Sequence, residues 1–195
     1  MVENPKRDRR AFIIVPSAVL AVVGGFLSLG YVASILFRIP LQLGLSLPIR
    51  LFGVALVTGA VGIWIWLFQY RRPTDVLIST YATFSKLMRR VELKQGLGRK
   101  ERLVVLGPYK LVRHPMYLAV LLSLVGWGLL LDLTFILLAG LVALLWLNFV
   151  VMPYEEKELL ALFGGDYEEY MTRVRRILPV PRRSKGVQEQ KNVTS

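Results

Sequence analysis

The residues with the clearest chemical potential fall into two blocks. The first runs Gly107-Pro108-Tyr109-Lys110-Leu111-Val112-Arg113-His114-Pro115-Met116-Tyr117 and holds the single histidine of the sequence. The second runs Tyr154-Glu155-Glu156-Lys157-Glu158-Leu159-Leu160 and leads into Phe163-Gly164-Gly165-Asp166-Tyr167-Glu168-Glu169-Tyr170. His114 precedes a proline, which favours extended backbone directly before a helix whose first-turn N–H groups are free. Such a terminus attracts anionic groups such as a carboxylate. Glu155 and Glu156, with the aromatic faces of Tyr109 and Tyr117, suit a cationic ligand. Together the blocks describe a site for a soluble, zwitterionic, cationic cofactor that meets an apolar acceptor. Singly, the same residues have plainer readings. Arg113 is also what a positive-inside anchor looks like, the tyrosines fit an interfacial belt, and the glutamates fit a solvated helix end.

The elements that would position these blocks are apolar and long. Of the 195 residues, 54% are hydrophobic, and they come in blocks. Residues 11–37 carry no charge, nor do residues 51–70, and residues 115–154 carry only Asp132. About 20 apolar residues span a hydrocarbon core of about 30 Å. The sequence therefore predicts an all-α, polytopic membrane bundle with spans near 12–37, 51–70, 116–131 and 133–152. The last two form a hairpin turning at Asp132-Leu133-Thr134, so both chemical blocks lie at the same membrane surface. The first run is longer than the roughly 7–15 residues of a signal-peptide core, which argues against cleavage.

The basic residues set the orientation. Four precede the first span, two lie between spans one and two, eleven between two and three, none at the hairpin turn and eight after it. With four spans, 23 of the 25 fall on one face, which is the positive-inside pattern with both termini cytoplasmic. The net charge of +12 then reports topology and attraction to anionic lipid rather than nucleic-acid binding. With no cysteine, disulfides and thiolate chemistry are excluded, and one histidine cannot build a His-ligated metal centre.

Between spans two and three, Leu77, Tyr81, Phe84, Met88 and Val91 form one apolar stripe, an amphipathic helix suited to the cytoplasmic interface or to a small packed subdomain. Pro153 marks a helix start, Gly164-Gly165 a stop, and Asp166 with Glu169 a capping box opening a short helix to about residue 175. Residues 1–180 read as one domain and 181–195 as a disordered basic tail.

The motif set Gly-Pro-Tyr-x-x-x-Arg-His-Pro-Met-Tyr, then Glu-Glu-x-x-Leu, then Phe-Gly-x-x-Tyr-x-x-Tyr and Pro179 resembles the isoprenylcysteine carboxyl methyltransferases and, over the same elements, the phospholipid N-methyltransferases. The likeness covers roughly residues 95–180. It implies a small helical membrane bundle that binds S-adenosylmethionine at the cytoplasmic end of the hairpin. The family's cofactor positions fall on Val104, Tyr109, His114, Pro115, Met116, Tyr117 and Glu155. The implied activity is O- or N-methyl transfer to a lipidic acceptor, by in-line displacement that needs mainly proximity and alignment. An amine or hydroxyl acceptor also needs a base, for which His114 and Glu156 are the candidates. Three departures stand out. Glu101 replaces the connector histidine, Ala119 a glycine, and Val151 the arginine that isoprenylcysteine enzymes use for the substrate carboxylate. NADPH-dependent sterol-type reductases resemble the same Arg-His-Pro-x-Tyr region, and a non-enzymatic lipid-binding protein is the remaining alternative.

Overall fold

The computed structural model describes residues 5–70, 103 and 105–178. The amphipathic stripe, the tail and Val104 lie outside the described residues. Helix α1 (Pro5–Leu36) and helix α2 (Leu47–Tyr70) come first, followed by a 3-10 turn at Gly107–Lys110. Helix α3 (Pro115–Leu131) and helix α4 (Thr134–Trp146) form the hairpin. A π-helical segment, Leu147–Val151, joins α4 without a break to α5 (Met152–Phe163), and α6 (Gly165–Arg173) follows. The described residues hold no β-strand beyond one isolated bridge. By length and composition two helices suffice to cross a membrane, Leu47–Tyr70 and the continuous Thr134–Phe163, while Leu20–Leu36 and Pro115–Leu131 are shorter apolar helices.

The α3–α4 hairpin is the centre of the bundle. Helix α2 packs along α3, and α1 packs along α4. Lipid offers little hydrophobic drive between helices, so close approach depends on small residues. A side chain at Gly53 would put its Cβ 2.7 Å from the Gly126 carbonyl, and one at Gly30 would put it 2.2 Å from the Phe135 carbonyl. Bulky apolar residues such as Leu29, Ile35, Phe52, Ile65 and Leu141 face outward.

The turn forms at Asp132, which adopts a left-handed conformation (φ 56°), a region that Asp and Asn tolerate better than most residues. Its N–H bonds to Leu129 O and the Leu133 N–H to Gly128 O, closing the helix as a Schellman motif does. The Asp132 side chain then captures the loop between α1 and α2. Oδ1 accepts from Leu43 N–H at 3.1 Å, and Oδ2 from Gly44 at 3.0 Å and Leu45 at 3.2 Å. The one charge of the apolar hairpin is thus a latch for three backbone donors.

One local expectation needs correction. Asp166 and Glu169 form no capping box. Helix α6 opens at Gly165 with Gly164 as its cap in a positive-φ conformation (54°), and no side chain caps it. It ends at Arg173, after which Val174 is extended. Pro153 stands at the start of α5, as expected, and that helix continues from α4 without a break. The proline sits in the first turn of α5, and the preceding π segment absorbs the lost N–H and the ring clash that proline brings to a helix interior.

Replacing Asp132 with alanine leaves three backbone N–H groups without an acceptor. The expected cost is about 2–3 kcal/mol, read as a lowered unfolding temperature in detergent, with Asp132→Asn losing less because one acceptor oxygen remains.

Candidate functional site

Three chain segments meet at the polar end of the hairpin. The first leads into α3. Gly107 (φ 58°) starts the 3-10 turn beneath Tyr70, where an added Cβ would lie 2.4 Å from the ring. Residues 112–114 then bend into the pre-proline His114 (φ −122°, ψ 66°), which is not fully extended and whose carbonyl closes the first turn of α3 by accepting from Leu118 N–H at 3.1 Å. The second segment is α5, with Glu155 and Glu156. The third follows α6 and lies parallel to the first through a bridge between Val112 and Arg175. Arg113 N–H donates to Arg175 O at 2.9 Å and His114 N–H to Arg176 O at 3.1 Å. A further bond from Tyr170 OH to Tyr109 O at 2.6 Å ties α6 to the 3-10 turn.

Within this frame Glu156 is the hub. Its carboxylate faces the guanidinium of Arg113 at 3.1 Å and His114 Nε2 at 3.3 Å, and it accepts from Arg176 Nε at 3.0 Å. A second Arg176 nitrogen bonds its other oxygen, making a fork-on-fork pair. The Glu156 and Arg113 side chains are 9% and 8% exposed, so this is a buried ion cluster. Glu155 points to the other side of the histidine. It accepts from Tyr117 OH at 2.6 Å and lies 3.3 Å from His114 Nδ1, with 21% of its side chain exposed. The His114 and Tyr117 rings stack with centroids 5.6 Å apart.

The environment fixes the protonation states. Burial pushes the Glu156 carboxyl up, but hydrogen bonds from His114 and Arg176 and the charges of Arg113 and Arg176 outweigh it and hold the group at about 2. Burial pulls His114 down, and the hydrogen bonds and charges of Glu155 and Glu156 more than reverse this, leaving it above its ordinary 6.5. His114 is flanked by a carboxylate at each ring nitrogen, so the imidazolium is the form that both contacts favour.

Of the residues singled out in the sequence, His114, Tyr117, Glu155 and Glu156 are in mutual contact across the hairpin. Pro115 is buried at the start of α3, Met116 is half-buried beside it, and Tyr109 is half-buried on the 3-10 turn. Beneath them Leu121, Ala143, Leu147, Val151 and Met152 form a buried apolar cluster against which Tyr117 packs. Val151, at the position of the isoprenylcysteine enzymes' substrate arginine, is part of that core. The sequence reading missed Arg113 as an ion-pair partner and Arg176 altogether. No feature of the sequence around residue 176 signalled that pairing.

The site's donor set suits a cation flanked by hydrogen-bonding groups. Glu155 is the carboxylate with solvent access, Tyr117 brings an aromatic face, and Arg113 Nε and Tyr167 OH are buried without a hydrogen-bond partner among the described residues. A family model described as phospholipid methyltransferase matches residues 49–166, a stretch from α2 into α6 that holds both chemical blocks. Among curated proteins none matches the chain significantly.

The ion cluster has a pH signature. A raised folded-state value means that the His114 contribution is complete below 6.5 and is lost as pH rises through that higher value. The unfolding temperature of the native protein should therefore fall across that window, and His114→Gln should remove the fall. Glu156→Ala, which leaves two arginines and a histidine facing one another, should cost roughly 3–5 kcal/mol.

Proposed function

The chain belongs to the phospholipid methyltransferase family, and from that premise we propose that it transfers a methyl group from S-adenosylmethionine to an amine-bearing membrane lipid. The observation that carries this reading is the meeting of Tyr117 and His114 with Glu155 across the hairpin. The bound cofactor would supply an electrophilic methyl group on a sulfonium centre. Glu155 and the Tyr117 ring would face its positive charge, and Tyr109, Pro115 and Met116 would line the same end of α3. Val104 belongs to this set by family resemblance.

The proposed orientation puts α1, α2, α3 and residues 133–152 across the bilayer, with both termini and the site, including Glu155 and Glu156 on α5, on the cytoplasmic side. The distribution of lysine and arginine supports it. A soluble donor then reaches the site from water, and a lipid acceptor arrives laterally. We take residues 1–180 as the functional unit.

The charge balance favours an amine acceptor over a carboxylate. Val151 offers no charge partner, and the guanidinium groups of Arg113 and Arg176 are already committed to Glu156. An ammonium must shed a proton before attack. Glu156, held at about 2, is a weak proton acceptor, and the two carboxylates beside His114 favour its protonated form and so oppose a role as base. Both are therefore assigned to holding Glu155 and Tyr117 in position. Glu155, partly exposed and next to the cation site, is the carboxylate placed to take the proton.

Thermal unfolding with added nucleotide tests the donor. S-adenosylhomocysteine at 100 times its dissociation constant should stabilise the protein by about 2.7 kcal/mol. NADPH, a polyanion with two carboxylates in its way, should not. Glu155→Gln and Tyr117→Phe should each weaken S-adenosylmethionine by about tenfold or more, as loss of a charge-assisted contact implies, and should weaken S-adenosylhomocysteine, whose sulfur is uncharged, by less. Stabilisation by NADPH alone would sink the reading.

A further inference from the structure

We propose that Asn148 is a contact for the acceptor lipid below its reacting head, and that its amide N–H donates to a glycerol-ester carbonyl. The inference rests on the proposed lipid methyltransferase activity and adds a specificity-determining residue to it.

Asn148 is the one strongly polar side chain in the apolar stretch from Phe135 to Met152. It lies within the π-helical segment Leu147–Val151. On one side is the core residue Leu147, 6% exposed, and on the other Phe149, 70% exposed. Asn148 itself is half-buried, at the seam between protein and lipid. Its side chain has no hydrogen-bond partner among the described residues.

The backbone makes the position more unusual. In an α-helix the Asn148 carbonyl would accept from Met152 N–H, but that donor bonds Leu147 O. In the π register the next donor would come from residue 153, which is a proline and has none. The Asn148 carbonyl therefore loses the regular donor of either register. An unpartnered amide side chain and a carbonyl without its regular helical donor at one residue make a costly arrangement in lipid, because unsatisfied polar groups in hydrocarbon are unfavourable. Polar groups at membrane depth and single π-turns both concentrate at functional sites.

The distance fits a lipid. Seven residues separate Asn148 from Glu155, about 10 Å along the helix at 1.5 Å per residue. A lipid whose amine lies at Glu155 would carry its polar linkage toward the hydrocarbon on that scale. A carbonyl there needs a donor, which the carboxamide N–H supplies, and which leucine or phenylalanine could not.

The test compares two lipid probes on the purified full chain. Retention of dioleoyl phosphatidylethanolamine and of its diether analogue, which lacks both ester carbonyls, is measured by native mass spectrometry. The native protein should retain the diester about tenfold better, the worth of one hydrogen bond in a dry setting. Asn148→Leu should bring the diester down to the diether level, and Asn148→Gln should keep part of the preference. A purely structural role for Asn148 would lower both lipids equally. No diester preference in the native protein, or a preference that survives in Asn148→Leu, overturns the proposal. S-adenosylhomocysteine stabilisation, measured on the same variants, reports on folding and on the donor site. If it holds while the ester preference fails, the Asn148 contact alone falls. If it is absent throughout, the methyltransferase reading falls, and the ester preference is judged separately.

Discussion

The arrangement depends on one carboxylate, that of Glu156. A buried carboxylate is tolerated only when it is paired and hydrogen-bonded. Glu156 finds its partners in Arg113 and His114, on the segment entering α3, and in Arg176, on the segment after α6. Those segments are far apart in sequence, and none can hold its position without the others. The chain ahead of α3 is a 3-10 turn and a bend, and the chain after α6 is a short strap, with one β-bridge between them. The ion cluster turns this weak pairing into a fixed floor for the site. Adjacent positions on a helix point about 100° apart, so anchoring Glu156 also aims Glu155. That rotation carries Glu155 to the other nitrogen of His114 and to the hydroxyl of Tyr117.

The opposite end of the hairpin follows the same logic with different partners. Asp132 is also a carboxylate in an apolar setting, and it is satisfied by three backbone N–H groups instead of cations. One carboxylate therefore fixes each end of the α3–α4 unit, and between them glycines let neighbouring backbones approach closely. Where lipid competes on equal terms with side chains for apolar contact, polar anchors and small residues set helix positions more than hydrophobic burial does. The site inherits its precision from this framework.

The sequence made the helices legible because an uncharged run of spanning length suits little besides a helix in lipid. The hairpin turn was legible because Asp132 interrupts such a run. The meeting of His114 and Tyr117 with Glu155 followed from placing both ends of a hairpin on one side. What escaped was pairing. Nothing in the spacing of Arg176 reveals that its guanidinium bridges back twenty positions to Glu156, since the intervening turn at Gly164 sets that geometry. The capping box at Asp166 failed because Gly164, free to adopt positive φ, starts the helix without a side-chain cap. Pro153 was legible as a disturbance but not as a π-turn, because a helix can answer a missing donor either by ending or by widening.

Two adjacent glutamates in one sequence thus have different chemistry, and the difference lies in their neighbours. Glu156 is matched by cations on the protein, so its charge serves the fold. Glu155 is met by a neutral hydroxyl and by an imidazole that Glu156 shares, with no guanidinium to balance its charge. Were the arginines to face Glu155 as well, a cationic ligand would gain little from binding there. Were Glu156 unpaired, the site would carry a buried excess of negative charge that the surrounding hydrocarbon could not support. Committing two arginines to one carboxylate leaves the other without a guanidinium partner, and under the proposed function that asymmetry lets one short helical turn serve both the fold and a cation.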